Sequence, residues 1–565
     1  MPPSSPPPYQ NASLPIEVRV ADLLSRMTLD EKCDQVRQGG LAKLQVFEGA
    51  VSSESLERVF RTRQPGFVHI ESGATAQTNA IKARDLQEYL LQNSRLGIPP
   101  LFVTGGAAGV PVRGATIFPC PLALGATWNA ELAREIASRI AIEAAAAGAT
   151  LLTAPSFALA RDPRFGGVSQ CFGECPTLAT ALGLAYLEGL QGENTGEAPG
   201  KIPSALFPEG SIRFEGDLPP NKVFGAATYF TGWAVPDGGL LGAPVSLSTR
   251  ALRALHFPPF EDAVRKGHVQ VVTPIISPIN SVPGHANEWL LDSVLRKEWN
   301  FPGVVLATYG GVSMNATIYG VANDRRDAAA QALTAGVDIT ADEDMDGKYF
   351  ADDVRAGLIS AVDLDRAVAR ILRLKFLAGL FEERRIIDPT VLHARIHTAE
   401  TRALAHRAAA ESIILLKNND GLLPLDTNRI KTLAVIGPNA NRSQFGDGVW
   451  SREDGDGVTV LQGLRNLLGN KVRIHFSEGC GTTGTSRGGF DEAVAVAKGG
   501  DAVLVVLGDE SGPPAGGLRT GWRPHSPTAG AGFDVSNPVL PGVQEELLRV
   551  IAATGRPVIV LFLHG

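Results

Sequence analysis

The stretch 299–312, WNFPGVVLATYGGV, decides the fold. A tryptophan and an aromatic-Pro-Gly turn lead into Val304, Val305 and Leu306, a short and mostly β-branched apolar run that breaks at Ala307-Thr308-Tyr309-Gly310-Gly311. A run without polar alternation fits a parallel strand covered on both faces. In a (β/α)8 barrel, the loop after such a strand's C-terminal end is where chemistry sits. Working outward, GFVHI (66–70), PPLFVT (99–104), ATLLTAP (149–155), IPSALF (202–207), VQVVTPI (269–275), GVVLAT (303–308) and GVDIT (336–340) predict strands. Helical stretches, among them 130–147 and 175–190, fall between them. Repeated β-α order of this length predicts a (β/α)8-type barrel, with ends near Thr104, Phe207, Thr308 and Thr340 opening on one face. A flavodoxin-like layered sheet is the alternative, and it rarely runs past about 250 residues.

Elsewhere the chain reads as follows. Residues 16–38 hold an amphipathic helix, a Thr28 cap with Glu31 three residues on, and a second helix. Residues 219–242, rich in Gly and aromatics, read as a long loop. From 431, the runs TLAVIGPNA, KVRIHF, DAVLVVLG and PVIVLFLHG alternate with helices over 490–498 and 542–553, a second α/β region. The organisation predicted is a disordered segment 1–15, a barrel over 16–385, a linker over 386–430 and an α/β sandwich over 431–565. Gly479–Gly484 does not lead from a strand into a helix, which argues against a dinucleotide site.

A chain of 565 residues exceeds one ordinary core. A net charge of −7 argues against a nucleic-acid or anionic-membrane surface. Five scattered cysteines make no disulfide framework, and Cys171-x3-Cys175 lacks the further ligands of a zinc site. No apolar run approaches the roughly 18 residues of a membrane span. The Pro/Ser-rich start lacks signal-peptide features, so a cytoplasmic protein or a secreted one without its leader is expected. No metal or cofactor is expected, and nothing in the chain sets an oligomeric state.

These motifs resemble family 3 glycoside hydrolases. WNFPGVVLATYGG is similar to W-G-F-x-G-[FV]-V-V-S-D-[YW]-G, the family's nucleophile strand. ATIFPCPLALGATWNAEL, LARDPRFGGV, LHFPPFEDAV, VPGHANEWLLDSVLRKEWNFPG and LPGVQEELLRVIAATGRPVIVL also resemble family stretches, as does the linker tail KNNDGLLPL. The resemblance implies a barrel followed by an α/β sandwich, with retaining exo-hydrolysis of terminal β-linked glucose or xylose. Family members continue past the equivalent of Leu563-His564-Gly565, which makes the second domain incomplete on this reading.

Retaining hydrolysis needs two carboxylates about 5–5.5 Å apart. By the resemblance, the nucleophilic aspartate falls on Thr308 and the acid/base glutamate of T-x-G-E-x-x-D on Ala531. The acidic pair after the second strand falls on Thr104-Gly105, and the last arginine of R-D-P-R-W-G-R on Gly167. The acids that follow fall on Ser169-Gln170 and Cys175. The Lys-His pair falls on Leu206-Phe207 (Ala205-Leu206 if the register slips by one), and a downstream arginine on Leu218. In VTPIISPINSVP the methionine is Thr273, the tyrosine Ile276 and the aspartate Asn280. The scaffold motifs survive while the pocket's charged groups are replaced together.

The expectation is a scaffold without catalysis that binds a small saccharide weakly at most, with no nucleic acid or membrane partner. One alternative is an active enzyme with relocated carboxylates, drawn from Glu209, Glu215, Asp342, Glu343, Asp344, Asp346, Asp509 and Glu510. Another is a glycan-binding or protein-interaction module. Asp162-Arg164 reads as a structural ion pair, and His285 and His525 as structural histidines.

Overall fold

The computed structural model describes residues 6–192, 218–340, 348–382, 387–446, 457–511 and 527–564. The barrel is built from β1 (Gln38–Gly40), β2 (Phe67–His69), β3 (Leu101–Thr104), β4 (Leu151–Leu152), β5 (Phe224–Phe230), β6 (Val271–Pro274) and β7 (Val304–Val305). These seven strands pair in sequence order, all parallel. Leu306 bridges Ile339, and the Thr340 N–H donates to Val36 O at 3.1 Å, which carries the ring round to the chain just before β1. Parallel strands put their C-terminal ends on one face, the mouth, where Thr104 and Thr308 lie. Their side chains are buried on both sides, as the apolar runs predict.

Three readings of the sequence need correction. Residues 224–230 are a barrel strand inside the stretch expected to be a loop. Its residues FGAATYF are small or aromatic, and small side chains let helix Pro176–Gln191 pack close: a Cβ at Gly225 would lie 2.6 Å from Leu187. β4 pairs directly with β5, Leu151 with Phe224, so no strand from 202–207 can lie between them. That segment, with Leu206 and Phe207, lies outside the described residues. Gln38–Gly40, at the end of the stretch read as helical, is the first strand.

The N-terminal helices are as expected, Ile16–Arg26 and Leu29–Gln35. Thr28 closes a full capping box: its hydroxyl accepts from the Glu31 N–H, and Glu31 accepts from the Thr28 N–H at 2.8 Å.

The second domain contains β8 (Thr432–Ile436), β9 (Arg473–Ser477), β10 (Ala502–Gly508) and β11 (Val558–Leu563). They form one parallel sheet in the order β9-β8-β10-β11. Helices Phe490–Gly499 and Gln544–Ala552 cover one face, through Ala493, Ala497, Leu547 and Ile551. Leu461 and Ala440 cover the other. Among the described residues no helix is long and apolar enough to cross a membrane.

Candidate active site

Thr308 stands three residues past β7, half-buried. Its hydroxyl donates to Pro274 O at 2.6 Å, at the end of the neighbouring β6. Its N–H donates to His285 Nε2 at 3.0 Å. His285 is fully buried, and burial pulls its pKa down to about 3, so the ring is neutral. Because Nε2 accepts, the proton sits on Nδ1, which has no partner among the described residues. The ring leaves no room beside it: a Cβ at Gly311 would lie 2.2 Å from it, which explains the second glycine of the YGG run. A histidine that looks solitary in sequence is therefore packed against the loop that carries Thr308. Its accepting nitrogen is taken by the backbone and cannot draw a proton from the hydroxyl.

The ends of β3 and β6 also carry no charged side chain. Thr104 is buried at the end of β3, and its carbonyl accepts the Thr153 N–H at 2.9 Å. Gly105 follows it; at Gly106, a Cβ would meet Leu152 at 2.6 Å. Thr273 on β6 is buried with no partner for Oγ1 among the described residues, and Ile276 lies half-buried after it. Asn280 is turned away, its Oδ1 accepting from the Leu247 N–H at 3.1 Å.

The loop after β4 brings Gly167 against two aromatic rings. A Cβ there would sit 2.6 Å from the Trp233 indole and 2.7 Å from the Phe165 ring. Phe165 and Trp233 pack edge to face at 4.8 Å, and Tyr229 lies 4.2 Å from Trp233 at 31°. Tyr229 donates to Gln170 Oε1 at 3.3 Å. Ser169 is buried, its Oγ unpartnered among the described residues, while Cys175 is exposed at the start of helix Pro176–Gln191. Thr228, Tyr229 and Trp233 were absent from the sequence candidates, because the strand that carries the first two, and the turn after it that carries Trp233, resemble a loop in composition.

Leu218 does not belong to this face. Its N–H donates to Leu377 O at 3.1 Å. Leu377 ends the helix Ala361–Leu377, which runs from the mouth back to the foot after the last barrel position. Leu218 is thus buried at the foot, ahead of β5, where it cannot touch a ligand at the strands' C-terminal ends.

Ala531 follows Gly530, whose N–H donates to Gly166 O at 3.1 Å, so its segment of the second domain lies on the barrel loop that carries Gly167. Several carboxylates in these loops are engaged. Asp162 accepts from Arg164 at 2.7 Å, and that hydrogen bond holds its pKa below the usual carboxylate range. Asp237 accepts from the Ser246 hydroxyl at 3.0 Å. Asp509 accepts from the Thr528 hydroxyl at 2.8 Å, and Glu510 from Arg442 at 3.2 Å. Glu209, Glu215, His525 and the acidic run Asp342, Glu343, Asp344 and Asp346 lie outside the described residues. Among the described residues no three His, Cys, Asp or Glu side chains group as a metal site.

Comparison with known proteins gives the class. The family profile "Glycosyl hydrolase family 3 N terminal domain" matches residues 28–374, and "Glycosyl hydrolase family 3 C-terminal domain" matches 413–565. The chain belongs to glycosyl hydrolase family 3. It is 35% identical over 496 residues to a β-xylosidase of Formosa agariphila, covering 84% of this chain and 63% of that protein. It is 28% identical to a periplasmic β-glucosidase of Salmonella typhimurium, covering 97% of this chain and 67% of that protein. The crystal structure of a β-glucosidase from Erythrobacter marinus superposes with a TM-score of 0.85 at 27% identity, covering 100% of this chain and 73% of that one. The chain thus spans a little under two thirds of the length of its Formosa relative.

Proposed function

We propose that this chain keeps the β-glucosidase/β-xylosidase scaffold of family 3 without its hydrolytic chemistry. The observation that carries this reading is the state of Thr308, taken here as the nucleophile position. Its hydroxyl is spent on Pro274 O, and the imidazole beside it is filled by the backbone N–H. A neutral hydroxyl attacks an anomeric carbon only when a base removes its proton. Ala531, taken as the acid/base position, has no proton to give a leaving oxygen.

The sugar-binding side of the mouth supports the same reading. A family arginine at position 167 would overlap the Trp233 indole. The Lys-His pair belongs on the strand between β4 and β6, which is β5, and on this reading it falls near Thr228-Tyr229 rather than Leu206-Phe207. Charged and bidentate grips on sugar hydroxyls are thereby absent from Thr104, Gly105, Gly167, Thr228 and Thr273, and each charged hydrogen bond contributes about 1.5–3 kcal/mol. A small saccharide is held weakly at most.

The test is turnover of 4-nitrophenyl β-glucoside and β-xyloside, whose activated leaving groups need little acid help. No turnover above the buffer rate is expected, and Thr308→Asp alone restores little because the sugar stays unheld. Calorimetry with glucose and xylose is expected to show no millimolar binding. Turnover that survives Thr308→Ala and is lost on neutralising Glu209, Glu215 or Asp509 would replace this reading with that of an enzyme using relocated carboxylates. Tight sugar binding without turnover would make the chain a glycan-binding module.

A further inference from the structure

One short segment of the second domain, residues 528–535, is hydrogen-bonded to the barrel loops. Thr528 and Ala529 extend the end of β10: both N–H groups donate to Glu510 O, at 2.8 and 3.3 Å, and Ser511 bridges Ala529 in parallel. The chain then crosses to the barrel. Gly530 N–H donates to Gly166 O at 3.1 Å and Val535 N–H to Arg164 O at 2.9 Å. Between these two contacts Asp534 reaches back with both oxygens. Oδ1 accepts the Gly166 N–H at 2.8 Å, and Oδ2 accepts the Leu241 N–H at 2.7 Å. Gly166 is on the loop after β4, and Leu241 on the loop after β5. The approach is close enough that a Cβ at Gly166 would lie 2.1 Å from Gly530 O and 2.8 Å from Phe533 O.

We infer that Asp534 is an interdomain latch: one carboxylate ties two barrel loops to the second domain and sets where residue 531 is held against the mouth. The residue type follows from the geometry. Two N–H donors converge, and an ionised carboxylate is the short side chain that offers two acceptors and no donor. Asparagine keeps the shape but turns an NH2 toward one of the N–H groups. The latch does not depend on the proposed loss of catalysis, because Asp534 binds backbone alone.

Hydrogen–deuterium exchange on the full chain tests it, comparing the wild type with Asp534→Asn and Gly166→Ala. In Asp534→Asn, peptides covering Gly166 and Leu241 are expected to exchange at least about tenfold faster, with β8 and β10 peptides unchanged. Gly166→Ala breaks the same junction from the barrel side, and the same pattern is expected. Unaltered exchange at both loops in Asp534→Asn overturns the latch. If Asp534→Asn unfolds as a whole, Gly166→Ala decides: local loosening at Leu241 supports the inference, and none overturns it.

Discussion

Asp338 and Thr308 stand on neighbouring positions of the barrel ring, and their surroundings differ in kind. Asp338 is 1% exposed behind the barrel wall. It accepts from Arg296 at 2.6 Å, from Arg370 at 2.7 Å and from the Val305 N–H at 2.8 Å. Further toward the foot, Arg373 donates to Gln270 and Lys375 to Gln35, both buried. Thr308, at the mouth, donates only neutral hydrogen bonds, to Pro274 and His285. Charge is kept at the wall, where its removal would strand buried partners, while the side chains of Thr308, Thr104, Thr228 and Thr273 are neutral.

The largest break in this comparison comes from the wall. Asp338→Ala leaves two arginines without their shared counter-ion, and burial already drags the Arg296 pKa down to about 9, with Arg370 adding to it. A loss of about 3–5 kcal/mol is expected, read as an earlier barrel transition in urea. Thr308→Ala, by contrast, removes one neutral hydrogen bond and is expected to cost about 1 kcal/mol. Equal losses would erase the distinction between wall and mouth.

Gly167→Arg comes next. With Trp233 and Phe165 within 3 Å of any Cβ, it is expected to destabilise by about 1–3 kcal/mol. Trp233→Ala alone is expected to cost about 3–5 kcal/mol through the void it leaves. The double variant is expected to be more stable than the two costs summed, by about 0.5–3 kcal/mol, because the arginine enters the space the indole vacates. Strict additivity in a thermal double-mutant cycle would separate the two positions.

Buried groups in both regions also give stability a pH dependence. Burial lowers the His285 pKa to about 3 and the His69 pKa to about 4, so below about 6.5 the unfolded chain takes up protons these rings refuse. Stability is therefore expected to fall with acidification from there. Burial also lowers Lys375 well below its usual value. From that lowered value up to about 10.4 the unfolded chain holds the extra proton, so stability rises with pH across that window. Each group contributes a slope of up to about 1.4 kcal/mol per pH unit. Lys375→Met should flatten the alkaline limb alone, in denaturation curves taken pH by pH. The smallest effect is expected at Asp162→Asn, whose partly exposed ion pair is worth under about 1 kcal/mol.

The barrel and the second sheet were legible because their strands are continuous apolar runs set between helical periods. GVVLAT and DAVLVVLG show this most plainly. β5 was not, since Ala226, Ala227 and Gly225 contribute little hydrophobicity and their burial depends on helices elsewhere in the chain. The same blind spot put a strand at 202–207, where β5 instead pairs with β4, and the structure places Leu218 at the foot. His285 gave a sequence signal, but its partner Thr308 lies 23 residues on, a distance that only folding closes. Asp534 likewise binds backbone groups 293 and 368 residues away.

The contact between Gly167 and Trp233 also gives sequence change a direction. A large side chain at 167 and the indole at 233 exclude each other in this packing, so the two positions constrain one another. Once the ring is seated, returning a large side chain to 167 by a single step is penalised, however useful a sugar grip would be. The packing acts as a ratchet: a mutational path to a large side chain at 167 must first empty the space at 233.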